Sequence, residues 1–438
     1  MKRKSFLFFL LGFALAVALA AAGCGKTSGE QGKGAQTGPK EQPIKIGVVG
    51  PMGFVQGEHH WLGATMAADE INKAGGIKVG DKMRPVELVK VDTNEMNSVT
   101  DAASAVERAL TVDKVNFLVG GFRTEAVYPM QEVAMDNKVI FMGCGAADPG
   151  LCDRVEKDYN RFKYWFRVTP LNSTLLAKVD FLLLAEAAKA LREQLGIQKP
   201  KVAHLAEKAA WADPIVAAAE KTIPQMGMEL VGTWRPSATA TDVTAELNAI
   251  KDSGAQIIFA TLSGPVGVVV GRQWGELQIP AMPVGIFVEA QKKGWLDATG
   301  GKGNYVATIN TYARTAITEK TIPFYDGFVQ RSGQFPTYNA GTYEAIHILK
   351  EAIEKAGTLD ADALVKVLES ETFLGAAGKI KFDKKHDVTF GPGFTTSVGT
   401  QWQDGELVMF WPNGWEGVTY PGAKPYKLAP WVVEKYKK

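Results

Sequence analysis

Short apolar runs alternate with stretches of helical periodicity from residue 44 onward. The apolar runs predict buried strands over residues 44–49, 86–91, 117–119 and 139–142. The stretches between them repeat small and apolar residues at helical spacing, over residues 62–72, 99–110 and 126–136. The Gly- and Pro-containing segment 50–57 predicts a loop after the first strand. This alternation is typical of a parallel sheet that helices cover on both faces.

The pattern starts again after residue 169, which favours a second lobe. Further buried strands are predicted over residues 202–205, 229–233, 257–261 and 282–286. Residues 343–355 read as an amphipathic helix. The turn sequence Gln403-Asp404-Gly405 predicts a late hairpin whose second strand is residues 406–411.

The first 43 residues differ from the rest in composition. A basic start is followed by the apolar run 6–22 and then by small residues directly before Cys24, as in an export signal. The arrangement resembles a bacterial lipobox, so we expect a signal peptide over residues 1–23 and lipidation of Cys24. Ordinary secretion with an incidental cysteine is the alternative. Residues 24–43 lack large apolar side chains, which predicts a flexible tether.

Composition and motifs argue against several classes of function. A formal net charge of +2 gives no electrostatic argument for a nucleic-acid partner. The sequence has no G-x-S-x-G, Walker or H-E-x-x-H motif, so we predict neither an enzyme nor a cofactor. No metal site is expected, because His59 and His60 are adjacent and point in different directions. Cys144 and Cys152 could form a disulfide or remain free thiols.

Several segments occur in the order found in one known family. They are IKIGVVGPMG, GATMAADEINKAGGI, RPVELVKVDT, VNFLVGGFRTEAV, VIFMGCGAADPGL, YWFRVTP, VAHLAEKAAWAD, DSGAQIIFATLSG, TYEAIHILKEAI and GKIKFDKKHD. In this order they resemble the periplasmic leucine/isoleucine/valine-type binding proteins of ABC transporters. The resemblance covers almost all of residues 44–412.

The resemblance implies the fold of a type I periplasmic binding protein, an α/β protein with two doubly wound parallel-sheet lobes. Three crossovers near residues 167–170, 308 and 391–393 would join the lobes. The expected limits are 44–167 plus 309–391 for the first lobe and 168–308 plus 392–438 for the second. The ligand would bind between the lobes, beyond the carboxyl ends of the strands.

The resemblance also implies a carboxylate-binding site in the first lobe. In the family, a hydroxyl after the third strand and backbone groups after the fourth bind the carboxylate of the ligand. The matching positions are Thr124 and the segment Gly145, Ala146 and Ala147. Thr124 could instead cap a helix. Arg123 could clamp a carboxylate, or it could point away from the cleft.

The remaining candidate positions surround the rest of the ligand. Trp61 and Trp211 match positions where the family has aromatic side chains on the ligand, although each could be a buried packing residue. His60 is a candidate donor beside Trp61, and Ser263 lies in a strand-end loop of the second lobe. In the family's amino-acid binders an acidic residue holds the ammonium group of the ligand. Glu289 matches that position only if the alignment is shifted by two residues. An amino acid is expected if Glu289 faces the cleft, and a carboxylate without an amine if it does not.

The function implied is that of a solute-binding lipoprotein. It would capture an amino acid or a small organic carboxylate and deliver it to the permease subunits of an ABC transporter. We expect a monomer that is exported and lipid-anchored at the cell envelope, on the outer face of the cytoplasmic membrane or in the periplasm. A ligand-sensing receptor domain of the same fold, not coupled to transport, is the alternative.

Overall fold

Two large β-sheets, of five and seven strands, organise the described part of the chain. A computed structural model describes residues 41–209 and 211–437. The strands are β1 (Ile44–Gly50), β2 (Ile77–Val79), β3 (Lys82–Arg84), β4 (Val86–Asp92), β5 (Phe117–Gly120), β6 (Phe141–Gly143), β7 (Trp165–Arg167), β8 (Lys201–Ala206), β9 (Glu229–Trp234), β10 (Ile257–Leu262), β11 (Met282–Phe287), β12 (Ala307–Asn310), β13 (Phe373–Leu374), β14 (Lys379–Ile380), β15 (Val398–Gln403) and β16 (Glu406–Trp411).

Fourteen helices are described between and around these strands. They are α1 (Val55–Lys73), α2 (Val99–Thr111), α3 (Thr124–Asp136), α4 (Gly150–Lys157), α5 (Tyr159–Phe162), α6 (Ser173–Leu195), α7 (Asp213–Gln225), α8 (Thr244–Asp252), α9 (Val266–Glu276), α10 (Trp295–Ala298), α11 (Thr321–Ser332), α12 (Thr342–Ala356), α13 (Ala361–Ser370) and α14 (Pro430–Tyr436). Among the described residues, none of the helices is long and apolar enough to cross a membrane.

The first sheet has the strand order β4-β1-β5-β6-β7, and its strands are parallel. Its interior strand β1, between β4 and β5, is buried over most of its length, and Ile46, Val48 and Val49 are fully inaccessible to solvent. A parallel sheet carries helices on both faces, so its central strands lack a solvent-facing side. This explains why the strand reads as a continuous apolar run.

The second sheet has the order β9-β8-β10-β11-β12-β15-β16. Strands β8 to β12 are parallel, and β15 and β16 add an antiparallel edge beside β12. The predicted hairpin is confirmed, because β15 and β16 pair around a turn at Asp404 and Gly405. Both turn residues have positive φ, at 52° and 93°, as a two-residue hairpin turn of this kind requires.

The loop predicted after the first strand is shorter than expected. Helix α1 begins at Val55, so residues 57–61 are helical and not part of the loop. The hydrophobic pattern does not reveal this first helical turn, because the buried side chains of the turn are those of His59 and His60, which are 3% and 0% exposed. Gly57 lets the turn pack closely, since a Cβ there would collide with the backbone of Pro51.

The chain crosses between the sheets three times. It leaves the first sheet after Arg167 and enters α6, which packs on the second sheet. It returns after Asn310 and enters α11, which packs against α1. It crosses again before Val398, where β15 begins. Three crossings agree with the number that the family resemblance predicts.

A buried ion pair lies at the first of these crossings. Arg167 ends β7, is 0% exposed and places its Nε atom 3.0 Å from Oδ1 of Asp387. Asn172, the N-cap of α6, donates from Nδ2 to Oδ2 of Asp387 at 3.0 Å. One carboxylate therefore joins the last strand of the first sheet to the first helix of the second lobe.

We predict that this pair is required for stability. Arg167→Met leaves the carboxylate of Asp387 buried without its cation, and such a loss typically costs about 3–5 kcal/mol. Urea titration should therefore show a fall of about that size in the free energy of unfolding. The double variant Arg167→Met/Asp387→Asn should recover part of it, because a neutral amide needs no counter-charge.

The matched control is Arg314→Met. Arg314 pairs with Asp326 at 2.7 Å, but the Arg314 side chain is 60% exposed. Exposed pairs contribute about 0–1 kcal/mol, so this variant should stay close to the wild-type stability. Equal losses in Arg167→Met and Arg314→Met would contradict the importance of the buried pair.

Candidate functional site

A cavity of about 350 Å³ lies where the two sheets face each other. Its walls come from both lobes and from the crossings between them. The lining residues are Gly145, Ala147, Pro170, Leu176, Trp211, Ser263, Ile286, Val288, Gln291, Ile309, Asn310, Thr311, Tyr338 and Ser397. Its volume and mostly apolar lining fit a site for a small molecule. Four predicted site residues thus line one cavity, and they are Gly145, Ala147, Trp211 and Ser263.

The loop after β6 presents free backbone donors at this cavity. The N–H groups of Gly145, Ala146 and Ala147 have no acceptor among the described residues. Gly145 and Ala146 are buried, and Ala147 is half-buried. An unpaired buried N–H costs about 1–3 kcal/mol, so three in succession indicate a place for a ligand or ordered water.

The carbonyl groups of the same loop are bonded on the other side. His60 donates from Nε2 to the oxygen of Cys144 at 3.1 Å. Arg167 donates to the oxygens of Ala146 and Asp148. In a trans peptide the C=O and N–H point in opposite directions, so these bonds turn the N–H groups of residues 145 and 147 away from His60 and Arg167.

The second lobe contributes to the same arrangement. The N–H of Ser173, the first residue of α6, donates to the carbonyl of Ala147 at 2.8 Å. Gly145 allows the loop to pack closely, because a Cβ there would collide with the carbonyl of Gly121. The loop is therefore held by both lobes, while its N–H groups at residues 145–147 have no partner among the described residues.

Across the cavity, Glu207 organises the loops of the second lobe. Its Oε1 accepts from Nε1 of Trp211 at 2.8 Å and from the Ser263 hydroxyl at 2.6 Å. Its Oε2 accepts from the N–H groups of Ser263 at 2.9 Å and Gly264 at 2.8 Å. Glu207 is 1% exposed, whereas Trp211 is 40% exposed and free to pack against a ligand.

A second buried glutamate, Glu95, accepts hydrogen bonds from N–H groups of the loop after β5 that could otherwise bind a ligand. Glu95 accepts at Oε2 from the N–H groups of Phe122 at 3.3 Å and Arg123 at 2.8 Å. Burial raises the pKa of Glu95 even though these N–H bonds oppose the shift. An anion at this loop would therefore have to displace Glu95.

The predicted residues of this region lie beside the cavity and not in its lining. Arg123 donates from Nη1 to the carbonyl of Glu95 at 3.1 Å and pairs with Glu125 at 3.6 Å. Thr124 is the first residue of α3, and its hydroxyl makes no hydrogen bond within residues 41–209 and 211–437. Neither of the two lines the cavity.

His60 and Trp61 also lie outside the lining. His60 is fully buried behind the 145–147 loop, and burial lowers its pKa to about 4, so it is neutral at physiological pH. Lys90 lies over the ring of Trp61, with Nζ 5.0 Å from the centroid. His60 thus supports the cavity wall through its hydrogen bond to the carbonyl of Cys144, and Trp61 packs beside β4.

Glu289 is held away from the cavity. Lys292 pairs with its Oε1 at 2.7 Å, and the Glu289 side chain packs over Gly267 of α9. Cys144 and Cys152 are buried free thiols, so of the two alternatives the disulfide is not formed. No group of three metal-binding side chains occurs in the part of the chain that the structure describes.

Sequence reasoning missed two residues that organise the site. Arg167 ends the otherwise apolar strand Trp165–Arg167, and the next residue of the chain is apolar again. A single cation in such a buried stretch signals a buried partner. Glu207 directly follows β8, where a carboxylate can reach the neighbouring strand-end loop. The partners of both residues lie far away in sequence, so only the fold reveals them.

Comparison with known proteins agrees with this architecture. Residues 43–404 match the periplasmic binding protein family. The Leu/Ile/Val-binding protein homolog 7 of Brucella abortus is 22% identical over 387 residues, which are 86% of this chain and 93% of that protein.

Two solved structures share the fold. One is the branched-chain amino acid transporter substrate-binding protein of Streptococcus pneumoniae in complex with isoleucine, with a TM-score of 0.62, 20% identity and coverage of 83% and 97% of the two chains. The other is a solute-binding protein of an ABC transporter from R. palustris in complex with benzoate, with a TM-score of 0.62, 16% identity and coverage of 84% and 95%. The chain has the type I periplasmic binding protein fold and belongs to the periplasmic binding protein family, a family of substrate-binding proteins and not of enzymes.

Proposed function

We propose that this chain captures an amino acid or a small organic carboxylate in the cavity between its lobes and delivers it to an ABC permease. The observation that carries the proposal is the row of three N–H groups at residues 145–147 that have no acceptor among the described residues, in a loop whose Gly145 and Ala147 line a cavity between the two sheets. Backbone N–H groups can bind a carboxylate without a fixed counter-charge. The names of the relatives, which include amino-acid binders and a benzoate complex, support this class of ligand.

Ligand contacts to both sheets would couple binding to closure. We take the lobes to be residues 44–167 plus 309–391 and 168–308 plus 392–438. A ligand held by the 145–147 loop on one side and by Trp211 on the other favours the closed arrangement, because only that arrangement makes both sets of contacts. The partly exposed ring of Trp211 leaves apolar area for the ligand to cover.

The proposal includes export and a lipid anchor. Cys24 and the signal segment 1–23 lie outside the described residues, as does the tether up to residue 40. We infer lipidation at Cys24 from the sequence alone, with the folded part held at the outer face of the cytoplasmic membrane or in the periplasm. We further propose that the chain acts as a monomer.

Glu207 provides a test of the binding site. A hundredfold excess of a ligand over its Kd stabilises the folded state by about 2.7 kcal/mol, so a thermal-shift screen of amino acids and carboxylates identifies one for titration. Glu207→Gln replaces an acceptor of four hydrogen bonds with an amide that faces donors. Hydrogen bonds to charged groups contribute about 1.5–3 kcal/mol, so we expect calorimetry to show an affinity at least about tenfold lower.

The matched control is Glu289→Gln. Glu289 is also an acidic residue of the second lobe, but it pairs with Lys292 and does not line the cavity. The Glu289→Gln variant should bind the ligand with the same affinity as the wild type. Wild-type binding in Glu207→Gln together with a large loss in Glu289→Gln would place the ligand elsewhere and contradict the proposed site.

The lipid anchor is tested by Cys24→Ala. Without the thiol no lipid can be attached, so the variant should move from the membrane fraction to the soluble fraction when cells are separated by centrifugation. Cys144→Ala, which removes a buried thiol of the folded part, is the control and should stay with the membrane. Retention of Cys24→Ala on membranes would overturn the anchor.

A further inference from the structure

The cavity contains polar groups but no ionised side chain. Among the described residues that line it, the polar side chains are those of Ser263, Gln291, Asn310, Thr311, Tyr338 and Ser397. All six are neutral at physiological pH, and burial raises the pKa of Tyr338 further, to about 12. Any charge on a bound solute must therefore be stabilised by hydrogen bonds alone or by groups behind the lining.

The carboxylate that is hydrogen-bonded to two of the lining residues is already saturated. Glu207 touches the cavity only through Trp211 and Ser263, to which it is hydrogen-bonded. An ionised carboxylate offers about four acceptor positions, and Glu207 accepts four hydrogen bonds. An ammonium group could bind it only by displacing one of these donors.

Two further acids close to the cavity are also unsuited to an ammonium. Glu289 is paired with Lys292 and packs on α9. Asp180 lies one helical turn after Leu176 on α6, and it has no hydrogen-bond donor among the described residues. Both carboxyl oxygens of Asp180 are closed off from solvent and so do not open onto the cavity, and burial raises the pKa of this group well above its usual range.

The opposite end of the cavity favours an anion. The N–H groups of residues 145–147 have no acceptor in the described part of the chain, and the guanidinium of Arg167 bonds the carbonyl groups of Ala146 and Asp148 in the same loop. Arg167 is paired with Asp387, so the site provides directed donors without a net positive charge. One carboxylate can accept from adjacent donors of this kind, whereas a buried cation here would face N–H dipoles of the wrong sign.

The volume of the cavity limits the size of the solute. A cavity of about 150 Å³ holds benzene, so the 350 Å³ found here corresponds to about fourteen non-hydrogen atoms. The apolar lining of Leu176, Trp211, Ile286 and Ile309 suits an aromatic or branched aliphatic body.

We infer that the solute is a monocarboxylic acid with an apolar body and no ammonium group. This inference rests on the proposed function and narrows its ligand class from amino acids and carboxylates to carboxylates alone. The carboxylate binds the N–H groups of residues 145–147, and the apolar body packs between Trp211 and the second sheet.

Matched pairs of compounds test the inference by calorimetry on the full chain. Hydrocinnamate and L-phenylalanine differ only in the ammonium group, and so do isocaproate and L-leucine. A buried ammonium without a counter-charge is costly, so each acid should bind at least about a hundredfold more tightly than its amino acid. Hydrocinnamamide, which lacks the negative charge, should also bind at least about tenfold more weakly than hydrocinnamate.

The outcomes separate this inference from the proposed function. An amino acid that binds as tightly as its deaminated partner, or an amide that binds as tightly as the acid, overturns the inference and leaves solute capture intact. If neither these compounds nor any amino acid or carboxylate in a wider screen binds, the proposed function is contradicted as well.

A gain of binding gives an independent test. Asn310 lines the cavity and donates from Nδ2 to the Thr400 hydroxyl at 2.7 Å. Asn310→Asp keeps the shape, and the Thr400 hydroxyl can turn to donate to the new carboxylate. The ratio of L-phenylalanine to hydrocinnamate affinity should rise at least about tenfold, because the ammonium gains a counter-charge. An unchanged ratio in the folded variant contradicts the inference.

Discussion

The buried guanidinium of Arg167 is the constraint on which the site depends. A charge removed from water must be paired and hydrogen-bonded, and Arg167 finds its three partners in two separate parts of the chain. They are the carboxylate of Asp387 and the carbonyl groups of Ala146 and Asp148. Because Asp387 also bonds Asn172 at the start of α6, the same interaction fixes the junction of the lobes and the loop that faces the cavity.

As a result, the carbonyl groups and the N–H groups of the loop after β6 have different roles. The carbonyl groups of Cys144, Ala146, Ala147 and Asp148 bind protein partners, whereas the N–H groups of residues 145–147 have none among the described residues. Such preorganised donors need little rearrangement when the ligand arrives, which favours affinity. On the other side of the cavity, the buried carboxylate of Glu207 holds Trp211 and the 263–264 loop in place. In both lobes, therefore, a buried charge shapes the cavity from behind, while the side chains that line the cavity are uncharged.

Much of the fold could be predicted from the sequence. Buried parallel strands such as β1 and β10 read as apolar runs, and the Asp404-Gly405 turn marks the last hairpin. The start of α1 could not be read, because after Gly57 its first buried residues are the polar His59 and His60. Hydrophobic periodicity fails where a buried position is polar and its partners lie elsewhere in the chain.

The site was only partly predictable for a related reason. The family resemblance led to Gly145, Ala147, Trp211 and Ser263, all of which line the cavity. It could not show that Glu95 occupies the donors near Arg123 and Thr124, or that Lys292 holds Glu289. Alignment assigns a position to a strand end, but hydrogen bonds and ion pairs of the individual chain decide whether the side chain reaches the ligand.

Backbone amide resonances test the central claim most directly. In a nitrogen–proton correlation spectrum, titration with a carboxylate that stabilises the chain should move the amide signals of Gly145, Ala146 and Ala147 downfield. Hydrogen bonding to an anion deshields the amide proton, and these three donors are free in the structure. The signals of Phe122 and Arg123, which Glu95 already binds, should change little. Large shifts at residues 122 and 123 with none at 145–147 would contradict the account.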